Sequence, residues 1–298
     1  MGNASHDPMS HGGRRQFRSL ADDPFWNLAL EVWLLRHLPE SAAWLLTYVN
    51  APAVILGCNQ NPWRETDPDA LAAAGIHLVR RTSGGGAVYH GPGNLNVSLL
   101  TPRPRHDARL LEGVLRETLA ALGIAADVTP RHGLECGGRK ISGGAFQFTG
   151  HTVLHHLTLL VTADLECLET ALRPAPVAGQ IAGAAVASVR SPVVNLAALR
   201  PGLDLAAVET ALTRRWSGNA AAVTPLAPDQ PWPPPAEVAA LRAEFATWEW
   251  RFGRTPEFTV RDWCPEPGRP PVTTVVRHGR IHELQGAESK PCQLGTPF

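Results

Sequence analysis

Lysine is nearly missing from this sequence. Of 298 residues only Lys140 and Lys290 are lysines, whereas 25 are arginines. The two side chains share a charge but not a shape: one is a compact ammonium on a flexible stem, the other a planar fork. Abundant alanine and arginine indicate a GC-rich genome, where arginine replaces lysine wherever charge alone matters. Lys140 then has two readings, a position that needs an ammonium or a chance survivor, and composition leaves them level. Other absences exclude whole classes. Basic and acidic residues are equal at 27 each, so the basic excess of a non-specific nucleic-acid binder is missing. No run of about 18 apolar residues exists, so no transmembrane helix and no membrane partner are expected. Residues 1–15 lack the apolar stretch of a signal peptide and read as a disordered tail rich in Gly, Asn, Ser, His and Asp. The five cysteines, at 58, 136, 167, 264 and 292, are odd in number and show no CxxC spacing. Neither a disulfide framework nor a metal site is signalled, and free thiols in a reducing cytoplasm are expected. Charged residues are only 18% and apolar ones 44%, which suits a chain with a sizeable core.

The periodicities give a mixture of helices and adjacent strands. Asp23–Leu38 predicts a helix with a wide apolar face, capped by Asp23 with Pro24 at its first position. Trp44–Val49 and Ala53–Gly57 predict strands, Asn59–Trp63 a polar loop, and Ala70–Ala74 a short helix. His77–Val79, Val88–His90 and Asn94–Leu100 read as strands, and Ala108–Leu122 as an amphipathic helix closed by Gly123. Leu134–Cys136 and Arg139–Phe146 read as a hairpin turning at Gly137-Gly138, then Val153–Val161 as a strand and Asp164–Leu172 as a helix. The order is not alternating βαβ, so the expected class is α+β. A proline-rich linker, a helix over Glu237–Thr247 and a hairpin over Thr273–Arg277 and Arg280–Glu283 follow.

Two stretches carry chemistry. In Arg80-Arg81-Thr82-Ser83-Gly84-Gly85-Gly86-Ala87-Val88-Tyr89-His90, three glycines after a strand let backbone N–H groups approach a ligand. Arg81 beside them could neutralise a phosphate or carboxylate; the bland alternative is a glycine-rich turn with solvated arginines. The spacing is neither a P-loop nor a dinucleotide fingerprint. In Gly137–Ala145, strand alternation puts Lys140, Ser142 and Gly144 on one side and Ile141 on the other. In Leu154–Leu160, His155 and His156 point to opposite faces and cannot share a ligand. No Ser–His–Asp set can be named from spacing.

These stretches, in this order and roughly 50 residues apart, resemble the lipoate–protein ligase A family, within the wider biotin/lipoate ligase and octanoyltransferase fold. Arg80–Asn96 is similar to its RRxSGGGAVYHDxGNxN, Gly138–Ala145 to GRKISGxA, and Leu154–Leu160 to LHHGTLL. Asn59–Trp63 looks like NQNPW, Ser188–Leu196 like part of TSVRSxVxNL, and Trp248–Gly253 like WEWNFG. The resemblance implies a mixed sheet flanked by helices, over about 16–222, then a linker at 223–236 and a truncated accessory unit at 237–298. It implies ATP-dependent activation of lipoate to lipoyl-adenylate, with Mg²⁺, and transfer to a lysine of apo lipoyl domains. Those acceptors would belong to 2-oxoacid dehydrogenase E2 subunits or the glycine-cleavage H protein. Lys140 is the implied catalytic residue. Arg81, Ser83, Gly85, Gly86, Ala87, Val88, Tyr89, His90, Asn94, Ser142, Gly143 and His156 join it at the implied substrate and adenylate site.

The sequence also departs from the family pattern. His132 and Gly133 stand where the ligases carry Asn and Asp that help to hold the nucleotide or its metal. Leu157 replaces the glycine of HHGT, where it would narrow a tunnel for the acyl chain, and Gly91 replaces an aspartate. These departures keep two alternatives open. One is an ATP-independent octanoyl- or lipoyltransferase fed by acyl carrier protein or another lipoyl domain, with Cys136 as its nearest nucleophile. Burial as a small apolar residue is the other reading of Cys136. The second alternative is a module that binds lipoate or an adenylate without turnover.

Overall fold

The computed structural model describes residues 13–218, 223–264, 271–285 and 294–298; Lys290 and Cys292 lie outside them. In chain order the elements are β1 (Arg14–Ser19), α1 (Pro24–Arg36), β2 (Ala43–Tyr48), β3 (Ala53–Leu56), α2 (Pro62–Glu65), α3 (Pro68–Ala73), β4 (His77–Arg80), β5 (Val88–His90) and β6 (Asn94–Pro102). Then come α4 (Leu110–Ala121), β7 (Asp127–Val128), β8 (Leu134–Cys136), β9 (Arg139–Ser142), β10 (Gly144–Phe148), β11 (Thr152–Leu160), α5 (Leu165–Ala171), β12 (Ile181–Gly183), α6 (Leu196–Leu199) and α7 (Leu205–Ser217). The last are β13 (Val223–Leu226), α8 (Pro235–Ala246), β14 (Phe258–Trp263), β15 (Val272–Arg277) and β16 (Arg280–Gln285). The class is α+β, as the strand order predicts.

The chain divides into two interleaved units. The first holds the described residues of Met1–Asn50 with Pro92–Ala163 and Ser191–Ala239; the second holds Ala51–Gly91, Asp164–Arg190 and the described residues of Ala240–Phe298. In the first unit a six-stranded mixed sheet runs β10-β11-β6-β2-β1-β13. The pairs β1–β2 and β1–β13 are parallel, and the others are antiparallel. One core cluster joins Leu45, Val97, Leu99, Leu157 and Leu159 of the sheet to Leu111, Leu115 and Leu119 of α4 and Val208 and Leu212 of α7. The i, i+4 spacing of those helix residues makes the stripe that covers the sheet.

Helix α1 begins where Asp23 Oδ1 accepts the Phe25 N–H at 2.8 Å, with Pro24 at its first position. It is buried along Pro24–Leu35 rather than on one face, so its polar Asn27 and Glu31 are enclosed and must find partners. Asn27 donates to Ala21 O and Asn50 Oδ1. Glu31 belongs to the site below.

Four expectations change. Strand β1 starts at Arg14, so the disordered tail expected over 1–15 reaches too far. Asn61 caps α2 where a polar loop was expected, accepting the Trp63 N–H at 3.0 Å. The linker expected at 223–236 opens with β13, which pairs with β1 from Gln16↔Val223 to Ser19↔Leu226; Pro225 is tolerated because β13 is an edge strand. The single strand expected over Arg139–Phe146 breaks at Gly143. Its N–H donates to Thr158 Oγ1 at 3.0 Å and its carbonyl accepts the Thr158 N–H at 3.0 Å. Strand β9 therefore joins β7 and β8 in a small sheet, while β10 joins β11.

In the second unit β3 lies between β4 and β5, and a separate sheet runs β12-β14-β15-β16. One core serves both. Val54, Leu56, Trp63, Leu78 and Tyr89 pack with Phe252, Phe258, Val260 and Val276. The C-terminal strands β14–β16, joined by β12, thus form a small sheet that shares a core with residues 51–91. Among the described residues no helix is long and apolar enough to cross a membrane.

Candidate active site

In the second unit the glycine stretch is a tightly wired loop. Strand β3 pairs with β4 up to Leu56↔Arg80 and with β5 from Ile55↔Val88 to Ala53↔His90. The segment 81–87 must therefore double back over the end of β3. Gly85 has φ +86°, and a Cβ on Gly57 would lie 2.1 Å from the Gly85 carbonyl oxygen. Only glycine fits position 57.

Both arginines are buried and committed to carbonyls. Arg81 Nη1 donates to Ile55 O at 3.0 Å, Nη2 to Gly84 O at 2.5 Å and Gly86 O at 2.9 Å, and Nε to Ser83 Oγ at 2.8 Å. Arg80 donates to Gly57 O, Cys58 O, Gln60 O, Arg251 O and Thr255 Oγ1 at 2.8–3.2 Å. Burial lowers the Arg80 pKa to about 10, so it stays charged at neutral pH. The Trp250 indole donates to Arg80 O at 2.7 Å, which ties the Trp248–Gly253 motif to the loop. Neither guanidinium is solvated, as the bland reading supposed. Each satisfies backbone oxygens that a glycine loop leaves without partners.

Ser83 is buried and Ala87 donates its N–H to Ser188 Oγ at 2.8 Å. Val88 and His90 extend β5, and Tyr89 turns into the core. Burial first, then a hydrogen bond with Cys167, raises the Tyr89 pKa. The Tyr89 hydroxyl would lie 2.7 Å from a Cβ at Gly91, a steric reason for glycine where the family has aspartate.

In the first unit Lys140 lies on β9, which turns from β8 through Gly137 (φ +56°) and Gly138 (φ +72°). The Lys140 N–H donates to Pro192 O and its carbonyl accepts from the Val194 N–H, so the backbone is held on both sides. The side chain folds over Gly143, where a Cβ would meet Nζ at 3.1 Å and Cε at 3.3 Å. Ser142 is buried and its hydroxyl has no hydrogen-bond partner. Asn94 is buried too; its amide donates to Asn96 Oδ1 at 3.0 Å while its own Oδ1 has no partner. Buried polar atoms without partners are costly and rare, and such atoms suit a ligand's polar groups.

A buried acid completes this face. Ser98 pairs with His156 across β6 and β11. Glu31 of α1 accepts the Tyr48 hydroxyl at 3.0 Å and the Ser98 hydroxyl, and both its oxygens are 3.3 Å from His156 Nδ1. Sequence reasoning named His156 but missed Glu31. The available signal was a lone carboxylate amid the apolar run Phe25–Leu35.

His155 points the other way, as strand alternation predicts, and stacks on Phe146 at 3.9 Å. Burial lowers its pKa to about 3. His132 (φ +57°) bonds Glu112 Oε1 through Nδ1 at 2.8 Å and packs edge-on against Phe146. A Cβ on Gly133 would lie 2.6 Å from the Ser142 carbonyl oxygen, so an aspartate there is incompatible with this hairpin. Leu157 packs into the α4/α7 core. The tunnel-narrowing role expected of Leu157 is therefore corrected: its side chain is on the face opposite His156. Cys136 packs against the same core. Among the described residues no group of three or more His, Cys, Asp or Glu side chains could hold a metal ion.

The model of the lipoyl protein ligase A/B catalytic domain matches residues 23–217. A curated relative, lipoate-protein ligase A of Psychrobacter cryohalolentis, is 34% identical over 82% of this chain and 74% of its own length. Among solved structures, a bipartite lipoate protein ligase studied with its E2 lipoyl domain, from Thermoplasma acidophilum, is 25% identical with a TM-score of 0.64, covering 80% of this chain and 95% of that one. A lipoate-protein ligase A bound with ATP is 24% identical with a TM-score of 0.63, covering 81% of this chain and 98% of that one. With the glycine loop, the Lys140 hairpin and the paired histidine strand all inside or beside the matched span, the chain belongs to the lipoyl protein ligase A/B catalytic domain family.

Proposed function

We propose that this protein is an ATP-dependent lipoate–protein ligase. A lipoate carboxylate oxygen attacks the α-phosphorus of ATP, the bond to pyrophosphate breaks, and lipoyl-adenylate forms. The amine of an acceptor lysine then attacks the acyl carbon, AMP leaves, and the amine loses a proton. The acceptor is a lipoyl domain, in keeping with the E2 lipoyl domain studied with the Thermoplasma ligase. E2 subunits of 2-oxoacid dehydrogenases and the glycine-cleavage H protein are the acceptors we propose, in a cytoplasmic setting.

One observation carries this reading. The only lysine among the described residues folds over Gly143 beside a buried Ser142 hydroxyl that has no partner. Both steps build negative charge on acyl and phosphate oxygens, and preoriented donors lower such barriers by aiming at it. Lys140 supplies the cation, with Ser142 and Gly143 beside it, and Asn94 is proposed as a further polar contact to the substrate. The Glu31–His156 cluster fixes the polar side of the same sheet face. Arg81, Ser83, Gly85, Gly86, Ala87, Val88, Tyr89 and His90 form the segment proposed to take the adenylate, with Arg81 shaping the loop through its carbonyls. Mg²⁺ suits this site only as a companion of the ATP phosphates, because the described residues offer no cage for it. The transferase alternative loses support because Cys136 packs against the core while Lys140 folds over Gly143.

The test is intact mass of an apo lipoyl domain. One reaction contains lipoate, ATP and Mg²⁺; the other contains octanoyl-acyl carrier protein and no ATP. A lipoyl mass gain in the first alone is expected. An octanoyl gain in the second alone would make the protein a transferase.

A further inference from the structure

Residues 184–190 carry no helix or strand, and Val186 and Val189 are 47% and 58% exposed. One residue of this strap, Ser188, turns inward within the second unit. Its N–H donates to Glu65 Oε1 at 3.2 Å. Its Oγ accepts the Ala87 N–H at 2.8 Å and the Gln60 side-chain amide at 3.0 Å. The orientation of Gln60 follows from its other end, where Oε1 accepts the Gly57 N–H at 2.9 Å. Gly86 has no room for a side chain here, since a Cβ would lie 2.8 Å from Ser188 Oγ.

Two consequences follow. First, the peptide group between Gly86 and Ala87 is held at both poles: Arg81 Nη2 bonds its oxygen at 2.9 Å, and Ser188 Oγ bonds its N–H. A glycine-rich segment would otherwise sample many orientations of that peptide. Second, the Ala87 N–H is not itself a free donor to a ligand. A serine hydroxyl has two acceptor positions and one proton. Both acceptor positions of Ser188 are filled by N–H groups, so its proton must point elsewhere. No acceptor for it lies among the described residues. Donors feeding into a hydroxyl oxygen polarise its O–H and strengthen it as a donor.

We propose that Ser188 is a further substrate-contacting residue: its O–H, polarised by Ala87 and Gln60, donates to an anionic oxygen of the acyl-phosphate group. This deepens the ligase reading and rests on it for the identity of the ligand. The hydroxyl is the outward extension of the glycine loop's amide, delivered by the strap.

The experiment uses the full chain with Ser188→Ala, Ser188→Thr and Ser188→Val. Two quantities are measured: pyrophosphate release with lipoate and ATP, and the Kd of a non-hydrolysable lipoyl-sulfamoyl-adenosine by calorimetry. Ser188→Ala is expected to weaken analogue binding about tenfold and to slow pyrophosphate release at least as much, since a hydrogen bond to a charged group is lost. Thr and Val are matched in shape and differ in the hydroxyl. Thr is therefore expected to bind at least fivefold more tightly than Val, at equal Tm. Equal loss in Thr and Val, or wild-type binding by Ser188→Ala, would overturn the proposal. A wild-type protein that binds the analogue but releases no pyrophosphate would sink the ligase reading and leave the serine's role intact. A wild-type protein that fails to bind the analogue would overturn both.

Discussion

The two motif-bearing segments handle their polar groups in opposite ways. In the glycine loop Arg80 and Arg81 are buried and their donors go to backbone carbonyls and to Thr255 and Ser83, so that segment is finished as built. In the lysine hairpin the Ser142 hydroxyl is buried without a partner, as is Asn94 Oδ1 on β6 of the same unit. The first arrangement fixes a shape. The second stores unsatisfied polarity for something to fill. A charge within a recognisable motif is therefore not by itself a ligand contact; where its donors go decides whether it builds the site or does the chemistry.

The sharpest way to break this comparison is to remove a charge from each segment. Lys140→Ala is expected to cut adenylate formation by roughly 10²–10³ or more, the scale for loss of one preoriented donor. Its Tm should stay within a few degrees of wild type, because the Lys140 backbone is held by Pro192 O and the Val194 N–H whatever side chain it carries. Arg81→Lys should do the reverse. An ammonium cannot reproduce the planar fork that spans Ile55 O, Gly84 O and Gly86 O, so about 2–3 kcal/mol of stability is expected to go with those charge-assisted bonds. Urea unfolding and pyrophosphate release on both variants check the pair. If Arg81→Lys left stability untouched while Lys140→Ala lowered it, the assignments would have to be exchanged.

Local signals in the sequence were legible where one side chain determines the backbone. Asp23 with Pro24 starts α1, Gly137-Gly138 turns β8 into β9, and alternation sends His155 and His156 to opposite faces. Non-local facts were not. Strand β13 is four residues long and contains Pro225, so by pattern it reads as linker, and only its parallel pairing with β1 makes it a strand. Ser188 and Gly86 are a hundred residues apart, and no periodicity predicts their contact. Arg81 misled differently. Its guanidinium suggested an anion, but the carbonyls of the glycine loop are acceptors that also need donors, and they are closer. The departures at Gly91 and Gly133 look like losses in the sequence, yet the hydroxyl of Tyr89 and the carbonyl of Ser142 leave no space for a side chain there.

His155 sharpens the comparison from the opposite side of the same sheet, because its unpartnered nitrogens have no reacting group nearby to account for them. Its pKa is about 3 in the fold against an ordinary value near 6.5. The folded state therefore binds fewer protons than the unfolded state between those values. The contribution is fully present above about pH 6.5 and is lost as pH falls toward 3, at roughly 2 kcal/mol by pH 5. His155→Phe keeps a ring to stack on Phe146 and removes both unpartnered nitrogens. It is expected to stabilise by about 1–2 kcal/mol at pH 7, and its advantage should widen between pH 6.5 and 4. Thermal melts across that range decide it; a constant gap would mean that His155 has a hydrogen-bond partner in solution.

The smallest expected effect falls on Cys136, and its smallness is informative. The residue is four positions before Lys140 and, on proximity in sequence, is the nearest thiol for a thioester route. In the fold, Cys136 is opposite Arg139 in the β8–β9 ladder and packs against the α4/α7 core, whereas Lys140 folds over Gly143. A nucleophile must reach the acyl carbon, and a side chain half-buried in an aliphatic cluster does not meet that condition. Cys136→Ser replaces a sulfur packed as a small apolar group with a hydroxyl, so a stability loss of about 1 kcal/mol or less is expected. Lipoyl transfer to the acceptor lysine should remain within twofold of wild type. The same preparation that loses activity through Lys140→Ala should thus keep it through Cys136→Ser, although the two residues share one hairpin. If Cys136→Ser instead abolished transfer while pyrophosphate release continued, the second step would pass through a thioester. The lysine would then serve activation alone, and the division between a segment that builds and a segment that reacts would have to run inside the β8–β9 hairpin.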